Sequence, residues 1–315
     1  MQKVVRDNPS CTFEASEVWR KILRLFPLKE RCVEGDGFCL YYWTHPFYQG
    51  AVSTPFRDRM ALTWGDNVPS GTDIATLVTC SVGPNFIIKD LGVMVDTLSM
   101  GQSGLVHDYV NSEVTLDGEI EKRFKPSARK NLRKAQQEYG LTIEIDAEGV
   151  FENFYGMYLN NRRRLGVLPY PRLFFRSLFD FRGSSVVVFV CRSSKEILGF
   201  LICYLHGHEM ISGHLAYDFN QRHKRISDFL FMSAFHWGYV NGFNQYRFGA
   251  DNRNQQSLIE SKRKLGAIER MQWDFCLPYR SRHDDNPESF VRQLLRVTPM
   301  PLFKHAGLLT KLYFG

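Results

Sequence analysis

SSVVVFVCR (184–192), EILGFLICYL (196–205) and EMISGHLAY (209–217) are three runs dense in β-branched, aromatic and other apolar residues, separated by Ser193-Ser194-Lys195 and Gly207-His208. Short apolar runs bounded by turn residues read as strands, and connections this short join antiparallel neighbours. The stretch therefore predicts a three-stranded meander. After it come the basic loop NQRHKR (220–225) and a helical pattern from about Ser227 to Val240, stopped at Asn241-Gly242. A strand at Gln245 to Phe248, a helix over Gln255 to Leu265 and a last strand from Ile268 to Leu277 complete the series. Three strands, then helix, strand, helix and strand, is the order of a mixed α/β unit.

Upstream, FKPSARKNLRKAQQEYG (124–140) places Lys125, Arg129, Lys130, Arg133 and Lys134 on one predicted helix, with Ser127 as its expected cap and Gly140 as its stop. A strand follows at Leu141 to Ile145, then helical periodicity from Val150 to Arg164 and a second helix from about Arg172 to Phe181. Nearer the start, Phe13, Val18, Trp19, Ile22, Leu23, Leu25 and Phe26 recur at helical spacing and predict one amphipathic helix ending before Pro27. Gly37 to Trp43 and Phe86 to Lys89 read as strands, PFRDRMALTWGDNVPSGT (55–72) as loop, and Asp73 to Val82 as a short helix. VHDYVNSEVTL (106–116) alternates like a half-buried strand and ends at Asp117-Gly118.

The whole chain, 315 residues with 44% hydrophobic content, is long and apolar enough for a large core, which excludes disorder as its general state. Its 40 basic and 33 acidic residues leave +7, a surplus compatible with anionic partners but unlike a nucleic-acid-binding tail. The seven cysteines are scattered and form no CxxC pair, which argues against a disulfide framework or zinc knuckle and for a reducing cytoplasm. No apolar run approaches the roughly 18 residues that a bilayer span needs, and the N-terminus lacks a secretory pattern. His206, His208 and His214 lack a companion set of cysteines or carboxylates, so no metal is expected. Ser103, His107 and Asp108 lack the GxSxG elbow of a hydrolase.

From Ser289 to Gly315 there is no acidic residue, while Arg292, Arg296, Lys304 and Lys311 lie among leucines, methionine and phenylalanines. Such an amphipathic tail suits an anionic membrane surface, and equally suits packing as a terminal helix on the body.

Four stretches carry a resemblance to a known family: GAVSTPFRDRMALTWGD (50–66), FKPSARKNLRKAQQEYGLTIEI (124–145), YLNNRRRLGVLPYPRLFFRSLFD (158–180) and YRFGADNRNQQSLIESKRKLGAIERMQWDF (246–275). In this order and spacing the chain resembles the FemAB-like family, whose members carry two GNAT-like acyltransferase domains in tandem. The resemblance implies a mixed α+β fold, with a first GNAT-like domain at 1–147, a second at 148–281 and the amphipathic basic tail at 282–315. It also implies an enzyme: an N-acyltransferase moving an acyl or aminoacyl group onto an amine. The coiled-coil arm of some members is absent, so acyl-CoA is expected as donor and aminoacyl-tRNA is the alternative. An amine-bearing envelope precursor or glycan, as in exopolysaccharide biosynthesis, is the expected acceptor. The expected location is cytoplasmic, peripheral on the inner face of the membrane.

Acyl transfer needs a gripped donor, an oriented amine and a donor group for the oxyanion. The loop after the third strand is the expected cofactor site, where phosphate meets a helix N-terminus. Gln221, Arg222, Lys224 and Arg225 supply its charge, but the glycines of the family's Q/R-x-x-G-x-G/A loop are missing. Lys262, in SKRKLG (261–266), matches a lysine that the family places near the transferred carbonyl. Asp251 and His214 are the other catalytic candidates, with Asp218 and His236 as weaker choices for a base. Arg129, Arg133, Arg164, Tyr217 and Asn252 are the candidate substrate-binding residues. Each also has a plain reading, as solvated basic face, helix cap or core tyrosine. A non-catalytic glycan-binding scaffold is the competing function, and a general nucleic-acid binder the third.

Overall fold

The computed structural model of the chain describes residues 11–45, 48–55, 57, 59–66, 69–82, 85–90, 105–277 and 290–306. The first part holds a 3-10 turn (Phe13–Ala15), α1 (Glu17–Leu23), β1 (Lys29–Gly35), β2 (Phe38–His45), β3 (Tyr48–Val52), β4 (Ala61–Trp64), α2 (Gly71–Ser81) and β5 (Phe86–Ile88). Next come β6 (Leu105–Thr115), α3 (Pro126–Arg133), which runs into a π-helical turn (Lys134–Glu138), β7 (Leu141–Ile145), α4 (Phe151–Leu165) and α5 (Arg172–Asp180). The expected meander is β8 (Val186–Ser193), β9 (Glu196–His206) and β10 (Glu209–Tyr217). A 3-10 turn (Phe219–Lys224), α6 (Ile226–Val240), β11 (Gln245–Asn252), α7 (Gln256–Lys264), β12 (Ile268–Leu277), α8 (Phe290–Val297) and α9 (Met300–Ala306) complete it.

Local chemistry explains the departures from the sequence reading. The single helix expected over 13–26 is divided, because the Ser16 side chain accepts a hydrogen bond from the Trp19 N–H and caps α1 there. Lys125, not Ser127, is the N-cap of α3; Pro126 takes the first helical position, where its missing N–H costs nothing. The strand β1 escaped notice because only Val33 within it is buried, so it has no alternating pattern, and the four-residue β4 was hidden in a loop-like stretch. β11 extends four residues beyond Phe248, so Asp251 and Asn252 end the strand rather than follow it.

Among the described residues the strands form one sheet in the order β1-β2-β3-β5-β12-β6-β11-β10-β9-β8-β7, with β4 also on β2. β8, β9 and β10 are antiparallel neighbours, as expected. β6 lies between β11 and β12, β12 pairs with β5 on its other side, and β7 pairs with β8, so strands distant in sequence alternate across the middle of the sheet. One face is covered by α4 and α5 with α1, joining Trp19, Phe154, Phe174, Phe175 and Phe200 in a largely aromatic core. The opposite face is covered by α3 and α6, where Leu132, Leu230, Phe235, Tyr246 and Phe248 meet. A smaller core packs α2 against β2, β4 and β5. Gly199 of β9 lets α6 start close to the sheet, since a Cβ there would stand 2.7 Å from Ile226 Cγ2 and 3.0 Å from Tyr217 Cβ.

Candidate functional site

The parallel pair β10 and β11 is joined over only a short register, from Glu209 opposite Gln245 to Ile211 opposite Arg247. Beyond it each strand turns to its other neighbour. β10 continues along β9 past an irregularity at Ser212 to His214, and β11 continues along β6 past another between Arg247 and Ala250. The strands therefore part toward their C-terminal ends, and crevices outside such ends are where open α/β sheets take ligands.

The turn from β10 into α6 closes one side of this crevice. Asp218 starts the turn, its Oδ1 accepting from the Asn220 N–H at 2.9 Å. Arg225 ends it in the left-handed conformation, φ +64 and ψ 34, which glycine adopts without cost and other residues seldom do. The missing glycine is thus replaced in backbone conformation by a strained arginine. Arg225 stands where a glycine would be unstrained, and the small Ser227 follows in the first turn of α6.

A cavity of about 530 Å³ opens here, lined by Tyr217, Asn220, Arg222, His223, Arg225, Ile226, Ser227 and Asp228. The N-cap Arg225 gives α6 no side-chain hydrogen bond, so the positive end of a 15-residue helix borders the cavity without a side-chain cap from that residue. Asp228, in that first turn, accepts from Asn131 Nδ2 of α3 at 2.8 Å, and burial raises its carboxyl above the usual range. Gln221 and Lys224 belong to the turn but not to the cavity lining.

Two candidates from separate groups converge beside the cavity. The Arg164 guanidinium, at the end of α4, lies 3.7 Å from the ring centroid of Phe219, and that of Arg222 lies 4.4 Å from the same ring. Phe219 was missed in the sequence; an aromatic one residue before NQRHKR was its only signal. Tyr217 lines the cavity, and its carbonyl accepts from Asn161 Nδ2 at 2.8 Å, which ties β10 to α4. Arg129 and Arg133 are exposed on α3, and neither has an ion pair with any described residue.

On the other strand, Lys262 of α7 and Asp251 of β11 form a short salt bridge in a buried setting, 8% and 6% exposed. The Lys262 ammonium also lies 5.2 Å from the Phe248 ring centroid, on the α6 face of the sheet. Asn252 has the turn role that Asp-Asn pairs commonly play: its Oδ1 accepts from the Asn254 N–H, and its carbonyl from the Gln255 N–H. His214 lies elsewhere. Its ring packs among Tyr158, Tyr170, Phe174, Phe175 and Tyr204, with centroids 4.8 to 6.4 Å away, on the α4 and α5 face. Burial, with Arg57 and Arg162 adding repulsion, holds its imidazole well below the ordinary histidine value. The structure thus joins Lys262 to Asp251 and Arg164 to Arg222, and sets His214 in an aromatic layer across the sheet from the first pair.

Two buried polar groups went unseen because their members are far apart in sequence. Glu14, fully buried, accepts from Arg57 Nε at 3.3 Å and lies 3.7 Å from the Arg247 guanidinium. Asp90 receives both terminal nitrogens of Arg270, while its N–H donates to Asp274. No group of three or more His, Cys, Asp or Glu that could hold a metal occurs among the described residues.

The family described as Acetyltransferase (GNAT) domain matches residues 122–256, from the turn before α3 to the first residue of α7. No curated protein matches the chain in sequence. Among solved structures, FemX superposes with a TM-score of 0.65 at 11% identity, covering 86% of this chain and 94% of FemX. The C-terminal domain (DUF2156) of a proposed lysylphosphatidylglycerol synthetase from Agrobacterium fabrum gives 0.55 at 13% identity, over 81% of this chain and 86% of that one. L-PGS from Bacillus licheniformis gives 0.54 at 14%, over 85% and 94%. The chain thus has the fold of FemX over most of its length, and the stretch that includes the parted strands is similar to the GNAT acetyltransferase domain family.

Proposed function

We propose that this transferase moves an acyl group from acyl-CoA to the amine of an envelope precursor, an amino sugar or a peptide. The observation that carries the reading is the crevice between β10 and β11, bordered by the arginine-bearing turn and the N-terminus of α6. An anionic donor suits that place: Arg222 and Arg225 offer charge-assisted hydrogen bonds to phosphate, and the helix end adds its dipole. Gln221 and Lys224 sit in the same turn and extend its polar surface.

In the reaction the acceptor nitrogen forms a bond to the acyl carbon and negative charge builds on the carbonyl oxygen; the carbon–sulfur bond then breaks as the carbonyl re-forms, and the proton given up by the nitrogen ends on the departing thiolate. Lys262 is assigned the developing oxyanion, and Asp251 holds the ammonium in position. A fixed cation in a water-poor site is worth on the order of a hundredfold in rate, because it needs no reorganisation as charge develops. Arg164, Tyr217 and Asn252 are assigned to the acceptor side, with Arg129 and Arg133 as a more distant cationic face for an anionic precursor. His214 is neutral at pH 7 and is kept as a proton acceptor only for an amine that reaches the α4 face. The resident groups fit an organic donor and acceptor, and the mechanism uses no metal.

Thermal-shift titration with CoA, acyl-CoA, charged tRNA and uncharged tRNA tests the donor. A ligand at about 100 times its dissociation constant adds roughly 2.7 kcal/mol of stability. Saturable stabilisation by acyl-CoA, with turnover onto amine acceptors lost in Lys262→Ala, is the expected result. Stabilisation by charged tRNA alone would replace acyl-CoA with an aminoacyl donor, and glycan binding without turnover would leave a scaffold.

A further inference from the structure

Three polar side chains on the α4 and α5 face of the sheet form a relay that ends on an unanswered oxygen. The face follows from register: Ile211 belongs to the aromatic core, Arg247 lies opposite it, Glu113 lies opposite Arg247, and Asn111 stands two residues from Glu113 on β6. Asn111, Gln272 and Asp274 are 0%, 2% and 1% exposed. Asp274 Oδ1 accepts from the Asp90 N–H at 2.9 Å and from Gln272 Nε2 at 2.8 Å, and Gln272 Oε1 accepts from Asn111 Nδ2 at 2.8 Å.

The direction of the relay is set by chemistry. A carboxylate only accepts, so it fixes which end of the Gln272 amide faces it; Oε1 is then left toward Asn111, which fixes the second amide in turn. Asn111 therefore turns Nδ2 to β12 and keeps Oδ1 on the other side of its amide, where that atom has no hydrogen-bond partner among the described residues. A buried carbonyl without a donor is costly, and a network that holds one rigidly is suited to a donor brought by a ligand. Arg270, opposite Asn111 in register, is already paired with Asp90 and Glu113, so the opening in the network is for a neutral donor group.

Its place is beside the crevice. Ala250 of β11 lies opposite Asn111, is half-buried, and follows Gly249, whose φ of +87 falls in the irregularity after Arg247. β11 thus sets only a methyl side chain between the amide and the parting of β10 and β11. Lys262 lies on the opposite, α6 face, as does the helix whose N-terminus borders the donor cavity, which leaves the α4 face for the acceptor.

We infer that Asn111 Oδ1 binds the acceptor amine, taking one of its N–H groups as a hydrogen bond on the α4 face while the acyl group arrives through the parted strands from the α6 face. The inference rests on the proposed transfer reaction and names the amine site of that reaction. A neutral oxygen suits a nucleophile: it orients the N–H without favouring the ammonium as a carboxylate would, so the lone pair stays available for the acyl carbon.

Steady-state kinetics with acetyl-CoA as donor and glucosamine or glycylglycine as amine probes test it. Asn111→Leu should raise the KM for the amine about tenfold, the loss of one hydrogen bond, and leave the KM for acetyl-CoA unchanged. Asn111→Asp keeps an acceptor oxygen, and should hold the amine KM near that of wild type while lowering kcat, because its charge favours the ammonium. A merely structural asparagine would not split the two constants in this way. Gln272→Leu, which frees the Asn111 amide to turn, should give a smaller rise in the amine KM alone. Acetyl-CoA affinity, measured by calorimetry, shows that each variant keeps its donor site. An amine KM unchanged in Asn111→Leu overturns the inference. Absence of turnover in wild type would instead remove the transfer reaction, and calorimetry with the same amines then decides the site: binding lost in Asn111→Leu retains it, whereas no binding by wild type, or equal binding by the variant, overturns it.

Discussion

Arg164 and Arg222, 58 residues apart in the chain, rest on the same aromatic ring: their guanidinium carbons lie 3.7 Å and 4.4 Å from the centroid of Phe219. Two like charges converge there because a ring face attracts both and its quadrupole offsets part of their repulsion. The end of α4 and the turn before α6 are thereby drawn into one cationic site beside the cavity.

An anion bound at this site should relieve that repulsion. Arg222→Ala and Arg164→Ala are each expected to weaken acyl-CoA binding by about tenfold, equivalent to about 1.4 kcal/mol. Phe219→Leu should produce a smaller loss, since it removes the platform and leaves both charges. Calorimetric titration of the three variants checks this; unchanged affinity in Arg222→Ala would remove the turn from the donor site.

Arg225 occupies a left-handed position at the start of α6. Glycine there should raise stability by about 1 kcal/mol, the usual cost of that conformation for a residue with a Cβ. Arg225→Ala should gain nothing, because alanine keeps the Cβ. Urea denaturation of the two variants separates strain from charge, and donor affinity should fall in both if the guanidinium contacts phosphate.

Lys262 and Asp251 form a buried pair, so removing either partner strands the other. Lys262→Ala is expected to cost about 3 kcal/mol of stability as well as turnover. The double variant Lys262→Met with Asp251→Leu should recover most of the stability and none of the activity. A double variant that regains turnover would confine the pair to a structural role.

His214 is neutral in the folded protein over the range where an unfolded chain's histidine takes up a proton. Its folded value is depressed, so its contribution is fully present above pH about 6.5 and is lost as pH falls from there toward the depressed value, by at most about 1.4 kcal/mol per pH unit. His214→Phe should flatten the stability profile below pH 6.5 relative to wild type. Equal slopes from chemical denaturation across that range would count against a neutral buried imidazole.

Glu14 lies between two guanidiniums, those of Arg57 and Arg247, in a fully buried setting. Glu14→Gln keeps the volume and removes the charge, and is expected to destabilise the protein by about 3 kcal/mol. Glu14→Asp should fall between that variant and wild type. Denaturant midpoints at constant m provide the comparison.

The meander, the helix after it and the order of elements to Leu277 were legible in sequence because hydrophobic period and turn residues are local properties, each readable within a dozen positions. The same holds for the fold class, which residues 122–256 and the superposition on FemX bear out. Asp251, Arg164 and Arg222 were also legible, as charged residues at a strand end, at a helix end and in the basic turn, and Lys262 through the family resemblance of SKRKLG (261–266). Their grouping was not. Asp251 meets Lys262 because β11 runs on through an irregularity beside β6, and Arg164 meets Arg222 because α4 and the turn before α6 flank the same strand, β10. Sequence spacing reports neither relationship. His214, Glu14 and Asn111 make the same point: the charge state of the first, the partners of the second and the amide orientation of the third depend on which elements pack together. Only long-range packing decides which charges are desolvated together and which polar atoms meet.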